Sequence, residues 1–338
     1  MSDINAVIFG ASGLELTEAE RAFYREANPW GFILFARNIS ADAEQIKRLV
    51  ADMRDSVGRD APVLIDQEGG RVQRIREPLC PRYPSGRDLG DIWRQDQAKG
   101  VRAAWLMSRL HAFDLLKLGI NVDCLPVLDV PVEGASDVIG NRAYGKNPEI
   151  VTQMGRAAAD GLKAGGMLPV MKHMPGHGRA FADSHHDLPV VDTPLDELRA
   201  HDFPPFKAMA NEVMGMSAHV VLTAVDPDNP ATTSRKVIEE IIRGEFGFDG
   251  LLLSDDSSMN ALKGTLGERA RAIASNGVDI VLHCNGAMQE MLDVIAQVKP
   301  LAGKTKERAD RVLAAFAAPD DSNEADLRAE FAALLPTA

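Results

Sequence analysis

Eight short apolar runs punctuate the chain, and longer amphipathic stretches separate them. The runs are "AVIFG" from Ala6, "GFILFA" from Gly31, "PVLID" from Pro62, "NVDCLPVLDV" from Asn121, "MLPVMKH" from Met167, "EVMGMSAH" from Glu212, "GLLLSDD" from Gly250 and "VDIVLHCN" from Val278. They are continuous rather than alternating, the pattern of strands buried on both faces of a parallel sheet. Between them the apolar period becomes helical. Asn147 followed by Pro148 predicts an N-cap with proline at the first helical position. Val151, Met154, Ala158 and Leu162 then share a face, and Gly165-Gly166 ends the run. Ser234 predicts a second cap, ahead of a stripe of Val237, Ile238, Ile241 and Ile242. "TEAERAFYREA", "ADAEQIKRLVADM" and "GAMQEMLDVIAQV" follow the same pattern.

About eight strand-then-helix units in 338 residues predict an α/β chain folded as a single-domain (β/α)8 barrel spanning 1–338. An open doubly wound sheet is the main competitor. It loses ground because "FGASGLELT", after the first strand, lacks both the dinucleotide and the P-loop glycine fingerprints. No Pro-, Gly- or Ser-rich linker divides the chain. From about residue 319 the tail "PDDSNEADLRAEFAALL" turns acidic and then amphipathic, which predicts an outer terminal helix.

Composition narrows the partners. Hydrophobic residues make up 45% and charged residues 25%, ordinary for a soluble globular protein. A net charge of −12 with scattered basic residues argues against nucleic acid and against an anionic membrane surface. Three cysteines, none in a C-x-x-C pair, fit a reducing compartment rather than a disulfide framework. "MSDINAVIFGASG" has no basic n-region and does not read as a signal peptide, and no apolar run approaches the ~20 residues of a membrane span. The expected location is the cytoplasm. The oligomeric state is left open by the sequence, with a monomer favoured.

Candidate chemistry gathers at one end of the strands. "VLID" ends in Asp66, "LPVMKH" in Lys172 and His173, "GMSAH" in His219, "LLLSDD" in Asp255 and Asp256, and "DIVLHCN" in His283 and Asn285. Burying such groups without partners costs several kcal/mol each. In a barrel, all C-terminal strand ends converge on one rim, where the active sites of this fold lie. Any one of them alone could be a solvated strand end.

"MKHMPGHGRAFADSHHDLP", from Met171, holds four of the eight histidines. His173 and His177 have metal-ligand spacing for a helix, but Pro175, Gly176 and Gly178 forbid one, and no cysteine or glutamate joins the cluster. No metal or other cofactor is expected. Asp183 and His185 are two apart, so in an extended segment they share a side, and the carboxylate can fix one imidazole nitrogen while the other faces a substrate. Taken alone, the same pair reads more readily as an Asx-turn beside a solvent-exposed histidine. His186 should point away.

Together, "KHMPGHG…ADSHHDLP", "LIDQEGGRVQRI" and "LLSDDSSM", with "PVLDV", "NRAYG", "AHVV" and "FGFDGLLLSDD", resemble glycoside hydrolase family 3, specifically its single-domain bacterial β-N-acetylhexosaminidases of peptidoglycan recycling. The resemblance covers most of the chain, with the motifs in the family's order. It implies a retaining barrel enzyme that removes terminal β-linked N-acetylglucosamine from a glycan or muropeptide. The implied nucleophile is Asp255, with Met259 closing its motif. Strand parity agrees, since Leu251, Leu253 and Asp255 share a face and Asp256 does not. The implied acid/base is His185, polarised by Asp183. The implied sugar-binding residues are Asp66, Arg74, Arg142, Lys172 and His173, with Gly69 and Gly70 letting the backbone turn closely. The segment from Gly176 to Asp183 is polar and flanked by glycine, which suits a lid over the site.

Three neighbours depart from the family pattern. Met174 stands where phenylalanine is usual, Ser257 where leucine is common, and "NRAYG" differs from the R-S-F type. They bear on aglycone preference and rate rather than on reaction class. The alternatives are a phosphorylase that uses phosphate in place of water and a non-catalytic sugar-binding protein. A β-glucosidase of this family usually carries a second domain and a glutamate acid/base.

Overall fold

The computed structural model describes residues 3–180 and 188–336. Eight parallel strands within them close into a ring: β1 (Asn5–Gly10), β2 (Pro29–Leu34), β3 (Val63–Ile65), β4 (Val122–Asp123), β5 (Leu168–Pro169 and Met171–Met174), β6 (Met214–Ser217), β7 (Leu251–Leu253) and β8 (Val281–His283). Each pairs with the next along the chain, with β7 meeting β8 through a bridge between Leu253 and Ile280. The ring closes where β8 returns to β1, with Ile8 opposite Leu282 and Phe9 opposite His283. This is the expected (β/α)8 barrel, built from all eight apolar runs.

Two runs give shorter strands than their hydropathy suggests. The stretch from Asn121 to Val130 keeps only Val122–Asp123 in regular pairing and rejoins β5 further on, where Leu128 N–H donates to the Lys172 carbonyl at 2.7 Å. Pro126 interrupts the ladder because it has no N–H to give. β5 is likewise broken around Pro169 and Val170.

Strand parity sorts the core into two layers. Ile8, Ile33, Leu64, Leu251, Leu253 and Leu282 pack together inside the barrel. Their neighbours Val7, Phe9, Phe32, Val63, Ile65, Leu252 and Val281 face the surrounding helices. Each such side chain, fully removed from water, contributes about 1.5–3 kcal/mol.

The helix signals hold. In Pro148–Ala164 the Asn147 side chain accepts from Glu149 N–H at 2.7 Å, and Gly165 caps the far end. Ser234 Oγ accepts from Val237 N–H at 3.1 Å, and the stripe it precedes is buried. That segment, Val237–Glu245, is wound as a π-helix rather than the regular helix expected; Phe246 N–H, for example, reaches back five residues to the Ile241 carbonyl. The outer terminal helix is Glu324–Leu334. It buries Leu327 and Phe331 and is pinned to Gln97–Leu116 by Arg102 with Glu330 (2.7 Å) and by Arg328 with Asp114 (2.6 Å). Cys80, Cys124 and Cys284 are free and buried.

Candidate active site

A cavity of about 310 Å³ opens at the C-terminal ends of the strands. Inside-facing parity delivers three of its charged groups. Asp66 follows Leu64 of β3, Lys172 follows Leu168 and Val170 in β5, and Asp255 follows Leu251 and Leu253 of β7.

The other charges come from connections. After β3 the chain doubles back as a short hairpin, Gln67–Gly69 against Val72–Gln73. Gly69 and Gly70 sit at φ 86° and 57°, and a Cβ on Gly69 would lie 2.2 Å from the Pro84 carbonyl oxygen, so the close turn expected of this pair is required here. Gln67 locks the hairpin. Its Nε2 donates to the Ile75 carbonyl at 2.9 Å, and its Oε1 accepts from Arg74 N–H at 3.1 Å. The hairpin thus buries Glu68 against Lys172 and leads to Arg74 on the cavity, while Arg142 arrives on the short helix Gly140–Arg142. Arg71 ties the two connections together by donating to Asn141 Oδ1 at 3.1 Å and to the Val138 carbonyl at 2.7 Å.

These groups form one chain of ion pairs. Arg74 Nη2 donates to Asp66 Oδ2 (2.9 Å), and Lys172 Nζ donates to Asp66 Oδ1 (2.8 Å) and reaches Glu68 Oε1 (2.6 Å). Arg142 binds Glu68 through both Nε (2.8 Å) and Nη2 (2.7 Å). Burial alone would raise the Glu68 carboxyl, yet Arg142 and Lys172 hold it down at about 2. Burial pulls against Lys172 and Arg142 as well, but the carboxylates raise both above their ordinary values. Asp66 is held far below its own by Lys172 and Arg74 against the effect of burial. Donors fixed in this way are strong hydrogen-bonding groups for hydroxyls, and their order costs nothing further when a ligand arrives.

Asp255 stands apart from that chain. Its Oδ1 accepts from Asp256 N–H at 2.8 Å. Burial pushes its carboxyl up, but His219, His173, the Asp256 N–H and Lys172 together hold it below its ordinary value, as an anion. Asp256 lines the cavity too, although strand parity turned it away, because regular pairing in β7 ends at Leu253 and alternation no longer holds beyond it; its side chain is committed to the frame. Its carboxylate accepts from Ser258 Oγ at 2.5 Å and from Cys284 N–H at 3.1 Å.

Every predicted sugar-binding residue lies on the cavity: Asp66, Arg74, Arg142, Lys172 and His173. Lys172 and His173 are consecutive and still share it, and the peptide between them is cis. Asp183 and His185 fall outside the described residues. His219 and His283 do not line the cavity. Parity places each facing outward, and both are fully buried. His219 Nε2 donates to the Asp256 carbonyl and Nδ1 lies beside Thr232 Oγ1, both at 2.9 Å, while His283 Nδ1 lies 3.2 Å from Ser257 Oγ. Glu68 and Asp129 were missed by motif reasoning, although Asp129 also follows a strand and ends "PVLD" much as Asp66 ends "VLID". Among the described residues no group of three or more His, Cys, Asp or Glu could hold a metal ion, and of the four-histidine stretch only His173 and His177 are described.

Glu68→Gln should therefore weaken the protein. It leaves two buried cations short of their anion, which costs about 3–5 kcal/mol. Because the Glu68 carboxyl sits at about 2 against an ordinary 4.5, its contribution is complete above 4.5 and lost as pH falls through 2. Denaturant titrations should show wild-type stability falling across that window, and a flatter fall for the variant.

A parallel barrel with a charged cavity at its C-terminal rim is the architecture of a broad class of enzymes, and comparison with known proteins gives the chemistry. Residues 12–315 match the glycosyl hydrolase family 3 N-terminal domain. A beta-hexosaminidase from Bordetella avium is 37% identical over 331 residues, covering 96% of this chain and 93% of the relative. One from Neisseria gonorrhoeae is 40% identical over 284 residues, 82% and 78% of the two chains. The crystal structure of NagZ from Neisseria gonorrhoeae in complex with N-trifluoroacetyl-D-glucosamine superposes with a TM-score of 0.87 at 33% identity, over 98% of both chains. Another structure of NagZ from Neisseria gonorrhoeae is in complex with a zinc ion, with a TM-score of 0.87 at 32% identity over 99% of both chains. The chain belongs to glycosyl hydrolase family 3 and is a glycoside hydrolase. No helix among the described residues is long and apolar enough to cross a membrane.

Proposed function

We propose that this glycoside hydrolase is a retaining β-N-acetylhexosaminidase that removes terminal β-linked N-acetylglucosamine from peptidoglycan-derived muropeptides in the cytoplasm. The observation that carries the reading is the position of Asp255. It is an anion on the cavity that no cation of the Asp66–Lys172–Glu68–Arg142 chain neutralises by direct contact, while the groups able to grip hydroxyls stand around the same space. The names of the relatives support the sugar. In this reading Asp255 attacks the anomeric carbon while protonated His185 donates to the leaving oxygen. Water then cleaves the glycosyl-enzyme with His185, oriented by Asp183, acting as the base. Asp66, Arg74, Arg142, Lys172 and His173 hold the ring.

The test is hydrolysis of aryl β-N-acetylglucosaminide against aryl β-glucoside, in phosphate and in phosphate-free buffer. The N-acetyl substrate should be preferred at least about 100-fold, since groups built to bond an amide are left unpaired without it. Comparable rates would overturn the sugar assignment. Turnover that requires phosphate would replace the hydrolase with a phosphorylase.

A further inference from the structure

We propose that Asp129 is a positioning residue that serves the site twice: it fixes which nitrogen His173 presents to the sugar, and it anchors the segment that leads to Asp183 and His185. The inference rests on the hexosaminidase reading for the roles of those two residues, and on the geometry for the rest.

Asp129 is fully buried at the end of the run that follows β4. His173 Nδ1 donates to its Oδ2 at 2.7 Å. His177 N–H donates to its Oδ1 at 2.7 Å. Burial would raise this carboxyl, but His173 and His177 hold it below its ordinary value, so it accepts both bonds as an anion. An acceptor on Nδ1 forces the proton there and leaves Nε2 of His173 for the cavity. The choice of tautomer is made behind the site, by a residue that does not line the cavity.

The second bond belongs to a continuous seam. Beyond His177, the Gly178 carbonyl accepts from Val132 N–H at 3.3 Å, and the Ala180 carbonyl accepts from Ser136 N–H at 2.8 Å. Residues 177–180 therefore lie along 129–136, bond by bond, up to three positions before Asp183. The fit allows no side chain at Gly178, where a Cβ would meet the Val130 carbonyl oxygen at 2.2 Å. One carboxylate thus registers a sugar-binding histidine and the base of the acid/base segment to the same point.

Two variants and one spectrum test this. Histidine-selective 15N NMR of the wild-type protein should show His173 protonated on Nδ1, a result that needs no substrate and no variant. Asp129→Asn should disturb that signal, raise KM for the aryl N-acetylglucosaminide and lower kcat on the natural disaccharide, each by about 10–100-fold, as when the orienting partner of a functional histidine is lost. Gly178→Ala should keep the His173 signal and the KM but lower kcat on the disaccharide, because it disturbs the seam alone. Nε2-protonated His173 in the wild type, or a folded Asp129→Asn with unchanged KM and kcat, would overturn the proposal. An enzyme that prefers another sugar would fail the functional reading while leaving the NMR result standing.

Discussion

Asp255→Ala should abolish turnover while leaving the barrel folded. Among the described residues the carboxylate accepts one hydrogen bond, from the backbone N–H of its own neighbour, so little of the frame described depends on it. Loss of a covalent nucleophile costs at least ~10³-fold in kcat. Asp256→Ala should behave in the opposite way. Its carboxylate ties Ser258 and the Cys284 backbone to the end of β7, so this variant should lose stability and keep more activity than Asp255→Ala. Initial rates and thermal melts on both proteins separate the roles. A reversal, with Asp256→Ala dead and Asp255→Ala active, would move the nucleophile to the other aspartate.

His185→Ala should discriminate between leaving groups. A nitrophenolate departs without much help, so glycosylation of the enzyme by an aryl substrate should slow only modestly. A sugar alkoxide needs the proton, and cleavage of the natural disaccharide should fall by about 10²–10⁴-fold. Asp183→Ala should show the same pattern in milder form, because the imidazole remains and only its orienting partner is gone. Equal losses on both substrates would mean that the segment contributes binding rather than proton transfer. Replacement acids are then few, since His219 and His283 are sealed behind the strands, His219 between Thr232 and the Asp256 carbonyl and His283 between Ser257 and Glu290.

Those two histidines show what was legible in the sequence and what was not. The eight strands, the barrel and the rim of ionisable residues followed from continuous apolar runs, a signal strong because buried parallel strands tolerate little else. Parity put Asp255 on the cavity but wrongly turned Asp256 away from it, while the same count applied to Met214–Met216 and to Leu282 would have turned His219 and His283 away. Glu68 was not legible, because it lies past the strand on a hairpin whose path is set by packing of Gly69 and Gly70 against Pro84 and Ser85. Lys172 and His173 share a site against parity, which only the backbone geometry reveals. Hydropathy also overstated β4, since Pro126 is compatible with an apolar run but not with its ladder.

With Glu68, which pairs with Lys172 and Arg142 from outside the lining, Asp66, Asp255 and Asp256 set four negative charges against the four positive charges of Arg71, Arg74, Arg142 and Lys172 among the described residues, so the charges cancel before anything binds. A neutral sugar ring entering this space displaces no counter-ions and leaves no field for dissolved salt to screen. The cavity can therefore hold its ligand through many charged groups and still be nearly indifferent to ionic strength.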